Sequence, residues 1–149
     1  MKKVLDFVLL MAEDDSDDRD LFREALEQYY QVNDIRFVSD GQECCDYLKR
    51  KGRYENPEDS PRPGFILLDL NMPRKNGKEV LKELKNDPDL KKIPVVVLTT
   101  SHAPKDIQDT YDIGTNSYLV KPSSYTETLS MVEHLGKFWF NTVKLPPCG

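Results

Sequence analysis

Nine residues constrain this chain more than any others: Phe65-Ile66-Leu67-Leu68-Asp69-Leu70-Asn71-Met72-Pro73. Four consecutive apolar residues that stop at a carboxylate read as a strand buried on both faces. Such strands belong to parallel sheets covered by helices. Open sheets of that kind bind ligands outside the carboxyl ends of their strands, which is where Asp69 falls. Asp is also a common turn residue. Taken alone, this stretch therefore leaves a turn cap and a functional carboxylate as equal readings.

The surrounding chain repeats the pattern. Val4 to Ala12 is β-capable apart from Asp6 and runs into Glu13-Asp14-Asp15-Ser16-Asp17-Asp18. A helix from about Asp17 to Tyr30 follows, with Leu21, Phe22, Ala25, Leu26 and Tyr29 on one face. Capping and the helix dipole account for Asp17 and Asp18; Glu13 and Asp14 fall at the strand's end and need another reason. Ile35 to Ser39 is a short strand, and Gly41 to about Lys51 a helix that buries Cys44 or Cys45 together with Leu48. Residues 52–63, with three prolines and a glycine, read as a surface loop inserted in the domain.

After Asp69 a helix from about Gly77 to Lys85 turns Val80, Leu81 and Leu84 inward. Ile93 to Leu98 is another doubly buried strand, ending in Thr99-Thr100-Ser101-His102. A short helix from about Pro104 to Ile113 is stopped by Gly114. Ser117 to Val120 is the fifth strand, ending at Lys121-Pro122. The last helix, about Ser124 to Phe140, uses Tyr125, Leu129, Val132, Leu135 and Trp139 on one side, and a tail continues to residue 149. Five strands alternating with five helices make an α/β fold with a mostly parallel sheet and helices on both faces.

Composition narrows the function classes. At 149 residues the chain reads as one domain, 1–149, able to bury a core without staples. A net charge of −5 with no Lys/Arg block offers no nucleic-acid footprint. No apolar run nears the roughly 20 residues a bilayer span needs. The opening Met1-Lys2-Lys3 is followed by no cleavage pattern. Cys44, Cys45 and Cys148 form neither a disulfide framework nor a zinc-type spacing. A reducing, cytoplasmic setting is expected.

In a parallel sheet the strand ends share one edge, so Glu13, Asp14, Asp69, Thr99 and Lys121 converge. Three carboxylates brought together repel unless a cation sits among them. All the ligands are oxygens, so a hard divalent ion, Mg2+, is the expected occupant. Lys121 and Thr99 then supply a counter-charge and a donor for an anion beside the metal. No Ser-His or Cys-His pair stands at a strand end, and His102 and His134 read as ordinary surface residues. What remains is phosphoryl handling with Asp69 as nucleophile.

These residues carry a resemblance. Glu13-Asp14, the Leu68-Asp69-Leu70-Asn71-Met72-Pro73 run, Thr99 after an apolar strand and Tyr118-Leu119-Val120-Lys121-Pro122 together resemble the receiver domain of two-component response regulators, over essentially the whole chain. The resemblance implies a flavodoxin-like (βα)5 fold with strand order 2-1-3-4-5. It implies that Asp69 is the phosphoacceptor, taking the phosphoryl group from a histidine kinase or a histidine phosphotransfer protein. Glu13, Asp14, Asp69 and the backbone carbonyl of Asn71 would hold Mg2+, while Lys121 and Thr99 would bind the phosphoryl oxygens. Thr99 and Tyr118 would form the switch, and the Lys121-Pro122 bond would be cis. Asp15 is read as a helix cap and not a ligand. Such a protein catalyses only its own phosphotransfer and dephosphorylation.

The chain ends after its last helix, so no DNA-binding or enzymatic output domain is expected, and signalling would pass through contacts with a downstream protein. The insertion and the aromatic end Phe138-Trp139-Phe140 resemble single-domain regulators that serve phytochrome-type sensor kinases. Those aromatics exceed what one helix face needs for its own core. A homodimer through the fourth helix, fifth strand and last helix is one reading, and a tail folded back on its own domain is the other. A dehalogenase-type hydrolase would want an aspartate where Asn71 stands. A degenerate, phosphorylation-independent receiver-like module would lack an acid, the lysine or the threonine.

Overall fold

The computed structural model describes residues 2–147; Cys148 and the ends of the expected 1–149 domain lie outside them. The strands are β1 (Lys3–Leu5), β2 (Leu9–Ala12), β3 (Tyr30–Val32), β4 (Ile35–Val38), β5 (Phe65–Leu68), β6 (Val95–Thr99) and β7 (Ser117–Val120). The α-helices are α1 (Ser16–Tyr29), α2 (Gly41–Lys49), α3 (Gly77–Lys85), α4 (Pro104–Ile113) and α5 (Tyr125–Gly136). The main sheet is five-stranded and parallel, in the order β4-β2-β5-β6-β7. Counted among these five strands alone, that order is 2-1-3-4-5, the flavodoxin-like arrangement expected.

Side-chain alternation along each strand divides the core between two faces. Leu10, Ala12, Ile66 and Leu68 join Cys44, Cys45, Leu48, Val80, Leu81 and Leu84 on the α2–α3 side. Leu9, Met11, Phe65 and Leu67 join Phe22, Ala25, Leu26, Val132 and Leu135 on the α1–α5 side. All four residues of β2, and all four of β5, are buried. Each fully buried Leu or Ile contributes about 1.5–3 kcal/mol, so the central strands hold the edge of the sheet rigidly where the polar residues emerge. Helices start on local signals: Asp40, Asn76 and Ser124 each cap with a side-chain oxygen, Asn76 in a full capping box with Glu79.

Several expectations are corrected. The first strand is two: Asp6 interrupts it, β1 leaves the main sheet to pair in parallel with β3, and Phe7 turns onto Phe140 at 5.2 Å. Leu21 and Tyr125, placed on apolar faces by their spacing, are each 40% exposed, because the sheet takes only the narrower stripe beside them. Cys44 and Cys45 are both buried. Residues 52–63 lie mostly at the surface and are pinned by buried side chains. Tyr54 and Ser60 are buried, the Tyr54 ring meets Tyr47 edge-on at 5.1 Å, and the Tyr47 hydroxyl donates to Pro61 O at 2.7 Å. Two tyrosines anchor a segment whose Pro, Gly and charge content reads as surface.

The last helix also ends early. After Gly136 the backbone widens into a π-helical turn, Lys137–Thr142. That turn swings Phe140 into the core against Tyr30 (5.6 Å) and Phe65 (5.4 Å), with Trp139 beside Phe65 at 5.3 Å. Two of the three terminal aromatics therefore fold back on their own chain, while Phe138 remains 55% exposed. Gly136 is required here, since a Cβ at that position would stand 2.2 Å from the Tyr30 hydroxyl. Among the described residues no helix is long and apolar enough to cross a membrane.

Candidate functional site

The strand ends meet as the sheet topology requires. Glu13 and Asp69 follow neighbouring central strands, and Asp69 N–H donates to Ala12 O at 3.1 Å, so the two turns leave the sheet side by side. Glu13 is 1% exposed and Asp69 5%, whereas Asp14 is exposed. One carboxylate oxygen from each of Glu13, Asp14 and Asp69 lies within 4.8 Å of the others. The turn after Asp69 is tight: Asn71 N–H donates to Asp69 Oδ1 at 3.2 Å, and Gly77 N–H to Leu70 O at 2.9 Å. A Cβ on Gly77 would sit 2.3 Å from the Asp69 carbonyl oxygen, so only glycine lets α3 begin directly behind the aspartate.

Lys121 comes in from the end of β7, its N–H donating to Thr99 O at 2.8 Å. Its ammonium pairs with Glu13 Oε1, with Asp18 Oδ2 at 2.9 Å and with Asp69 Oδ2 at 3.2 Å. Burial lowers the lysine's pKa, but the hydrogen bonds to Glu13 and Asp18 and the charge of Asp69 outweigh it and raise the value overall. Burial and the neighbouring Asp69 charge push the Glu13 carboxyl up to about 7, with Lys121 offsetting only part of that rise. The site thus concentrates negative charge in a poorly solvated place.

Thr99 is fully buried, and its Oγ1 has no hydrogen-bond partner. A buried hydroxyl left unpaired costs about 1–3 kcal/mol. Tyr118 is half-buried and donates its hydroxyl proton to Ser101 O at 3.0 Å. Ser101 Oγ donates to Asp106 at 2.6 Å, and Lys78 bridges Asp106 (2.6 Å) and Asp109 (3.0 Å), tying α4 to α3. Asp15 caps α1, its Oδ1 accepting from the N–H groups of Asp17 and Asp18. His102 and His134 are exposed.

Two expectations fare differently. The Lys121-Pro122 peptide is trans, since no cis bond occurs among the described residues. An X-Pro bond prefers trans by about 0.5–1 kcal/mol, and the β7 pairing here does not tip that balance. Capping and the helix dipole account for Asp18 in the sequence, yet its carboxylate lies in the site on Lys121. No local signal reveals this, because the two residues stand 103 positions apart.

The donor set fits a hard divalent cation: three oxygen ligands, no nitrogen or sulfur, one carboxylate open to solvent. An anion placed beside such a cation would find the Lys121 ammonium and the spare Thr99 hydroxyl. That combination suits phosphoryl chemistry at Asp69.

Comparison with known proteins agrees with this geometry. Residues 9–133 match the response regulator receiver domain family. Response regulator Rcp1 of Synechocystis sp. is 44% identical over 139 residues, covering 93% of this chain and 92% of that protein. The crystal structure of the Mn2+-bound form of Rcp1 superposes with a TM-score of 0.86 at 42% identity, covering 95% of this chain and 99% of that one. The phosphorylated cyanobacterial phytochrome response regulator RcpA gives 0.84 at 40% identity, with the same coverage of 95% and 99%.

Proposed function

This chain belongs to the response regulator receiver domain family, and from that premise we propose that it accepts a phosphoryl group on Asp69 and signals through protein contacts. The observation that carries the reading is the placement of Asp69: 5% exposed at the end of a central strand, with two further carboxylates within 4.8 Å and the Lys121 ammonium at 3.2 Å. The donor is a phosphohistidine on a histidine kinase or phosphotransfer protein. A phytochrome-type kinase is supported by the likeness to RcpA.

An Asp69 carboxylate oxygen attacks the phosphorus in line. The new O–P bond forms as the P–N bond to the imidazole breaks, and the nitrogen keeps the electron pair. The aspartate becomes an acyl phosphate. Positioning and charge stabilisation supply most of the catalysis in a loose transition state of this kind. Glu13, Asp14 and Asp69, with the Asn71 carbonyl, would hold Mg2+, which when bound neutralises phosphoryl oxygens that the carboxylates would otherwise repel. Lys121 turns its ammonium onto one phosphoryl oxygen, and the Thr99 hydroxyl donates a hydrogen bond to another. The chain catalyses only the gain and loss of its own phosphoryl group.

Moving Thr99 toward the phosphoryl group alters the space next to Tyr118, which would release Ser101 and re-seat α4. A bias of a few kcal/mol between two states suffices for a switch. The face formed by α4, β7 and α5 is the output surface in this reading, for a downstream protein or a second copy. Its exposed Tyr111, together with Phe138 just beyond α5, supports that role.

Intact-mass analysis after incubation with Mg2+ and a small phosphodonor tests the proposal, run on wild type, on Asp69→Ala and with chelator. A single phosphate adduct that needs both Asp69 and Mg2+ is expected. No adduct on the wild type, where a control receiver is labelled, would leave a phosphorylation-independent interaction module instead. Size-exclusion chromatography of the labelled protein reads out self-association.

A further inference from the structure

The phosphoacceptor chemistry uses Lys121, Thr99 and three carboxylates, and it leaves one neighbour of the lysine without a role. Asp18, in the first turn of α1, holds its Oδ2 2.9 Å from Lys121 Nζ, closer than the 3.2 Å to Asp69 Oδ2. An ammonium has three hydrogen-bond donors, and here each meets a carboxylate from a different element: Glu13 after β2, Asp18 on α1 and Asp69 after β5. Asp18 is the one member of this set that does not belong to the cluster able to hold a metal. Helix capping does not explain its carboxylate either, because Asp15 performs that task for α1.

We infer that Asp18 is a positioning residue: it holds Lys121 on the α1 side of the site and competes with the arriving phosphoryl group for the lysine's charge. The inference rests on the phosphoacceptor reading above. When a phosphoryl group arrives, the ammonium must surrender at least one carboxylate to bind an oxygen of the newcomer. Abandoning a buried carboxylate is costly, whereas one that water can reach is readily re-solvated. Glu13 is 1% exposed at its side chain, Asp69 7% and Asp18 37%, so Asp18 is the partner released. A cavity of about 50 Å³ bordered by Leu21 and Phe22 of α1 and Met131 of α5 lies beside the pair. The strength of the Asp18 bond therefore sets how much of the lysine's attraction is left for the phosphodonor.

The test follows labelling of Asp69 at increasing acetyl phosphate with Mg2+, for wild type, Asp18→Asn and Asp18→Glu. In this reaction the donor's P–O bond breaks as the Asp69 O–P bond forms, acetate leaves with the electron pair, and Asp18 forms no bond. Asp18→Asn keeps the shape and removes the charge. The half-saturating donor concentration is expected to fall about two- to fivefold, the range of a solvent-accessible ion pair, with a smaller change in the plateau rate. Asp18→Glu restores the charge and is expected to move the value back toward wild type. Thermal melts establish that each variant is folded. A labelled wild type with an unchanged or raised half-saturation in Asp18→Asn overturns the positioning role alone. A wild type that takes no label overturns the phosphoacceptor reading and this inference with it.

Discussion

The Tyr118 hydroxyl donates to the backbone carbonyl of Ser101 across 3.0 Å, joining β7 to the segment that leads from Thr99 into α4. Ser101 is in turn tied to Asp106, and Asp106 to Lys78. In the helix behind this chain of bonds Thr110 is the single fully buried residue, Ile113 packs partly buried against the core, and the N-cap, Ala103, offers no side-chain bond. Tyr118→Phe removes the first link and keeps the ring. Global stability is expected to fall by about 1 kcal/mol, with faster amide exchange confined to residues 101–113. Hydrogen exchange read by mass spectrometry checks it, and a uniform rise across the sheet would contradict a local tether.

Thr99 makes an opposite kind of prediction. Its buried hydroxyl has no partner, so Thr99→Val removes an unpaired polar group and is expected to raise stability by about 1 kcal/mol. The same change deletes a donor to the phosphoryl oxygens and is expected to slow labelling of Asp69 severalfold. Urea unfolding and intact-mass kinetics on one preparation read both effects. A variant that is less stable, or equally fast, would contradict the idea that stability is given up here for function.

Glu83 on α3 lies between Lys49, at 2.6 Å, and Lys75. Burial raises its pKa, but hydrogen bonds and charges from both lysines outweigh it and hold the carboxyl at about 2, below its ordinary 4.5. A depressed folded-state pKa stabilises the fold above the unfolded value, and that contribution fades as pH falls from about 4.5 towards 2. The pair is partly solvent-exposed, so its worth at neutral pH is about 1 kcal/mol at most. Glu83→Gln is expected to flatten the stability-pH curve between those limits. Urea titrations at neutral pH and at two points inside that window test it.

The terminal aromatics separate packing from surface. Phe140 is 6% exposed and meets Phe7, Tyr30 and Phe65, whereas Phe138 is 55% exposed. Phe140→Ala is expected to cost about 3–5 kcal/mol through the cavity it leaves. Phe138→Ala is expected to stay within about 0.5 kcal/mol. Equal losses in denaturant would contradict this division.

Much of the fold was legible where local chemistry punctuates the chain. The bounds of α3, α4 and β7 match the sequence reading because Asn76, Pro104 and Gly114 act on their own neighbours, as a cap, a helix start and a stop. The site's main groups were legible for a related reason: Glu13, Asp69, Thr99 and Lys121 each stand where an apolar run meets polar residues. The split of β1 from β2 was not legible. Val4 to Ala12 reads as one β-capable run, and only pairing with residues 30–32 tells its halves apart.

The amino-acid sequence by itself determined which groups stand at the strand ends and that those ends share one edge, because burial periodicity and the handedness of parallel crossovers are properties of short segments and their order. Tertiary structure alone decided which carboxylates the Lys121 ammonium touches, that the Thr99 hydroxyl is left unpaired and that Phe140 turns inward. Those outcomes depend on distance through space. Coulomb attraction, hydrogen bonding and close packing act over a few ångströms, whatever number of residues lies between the partners along the chain.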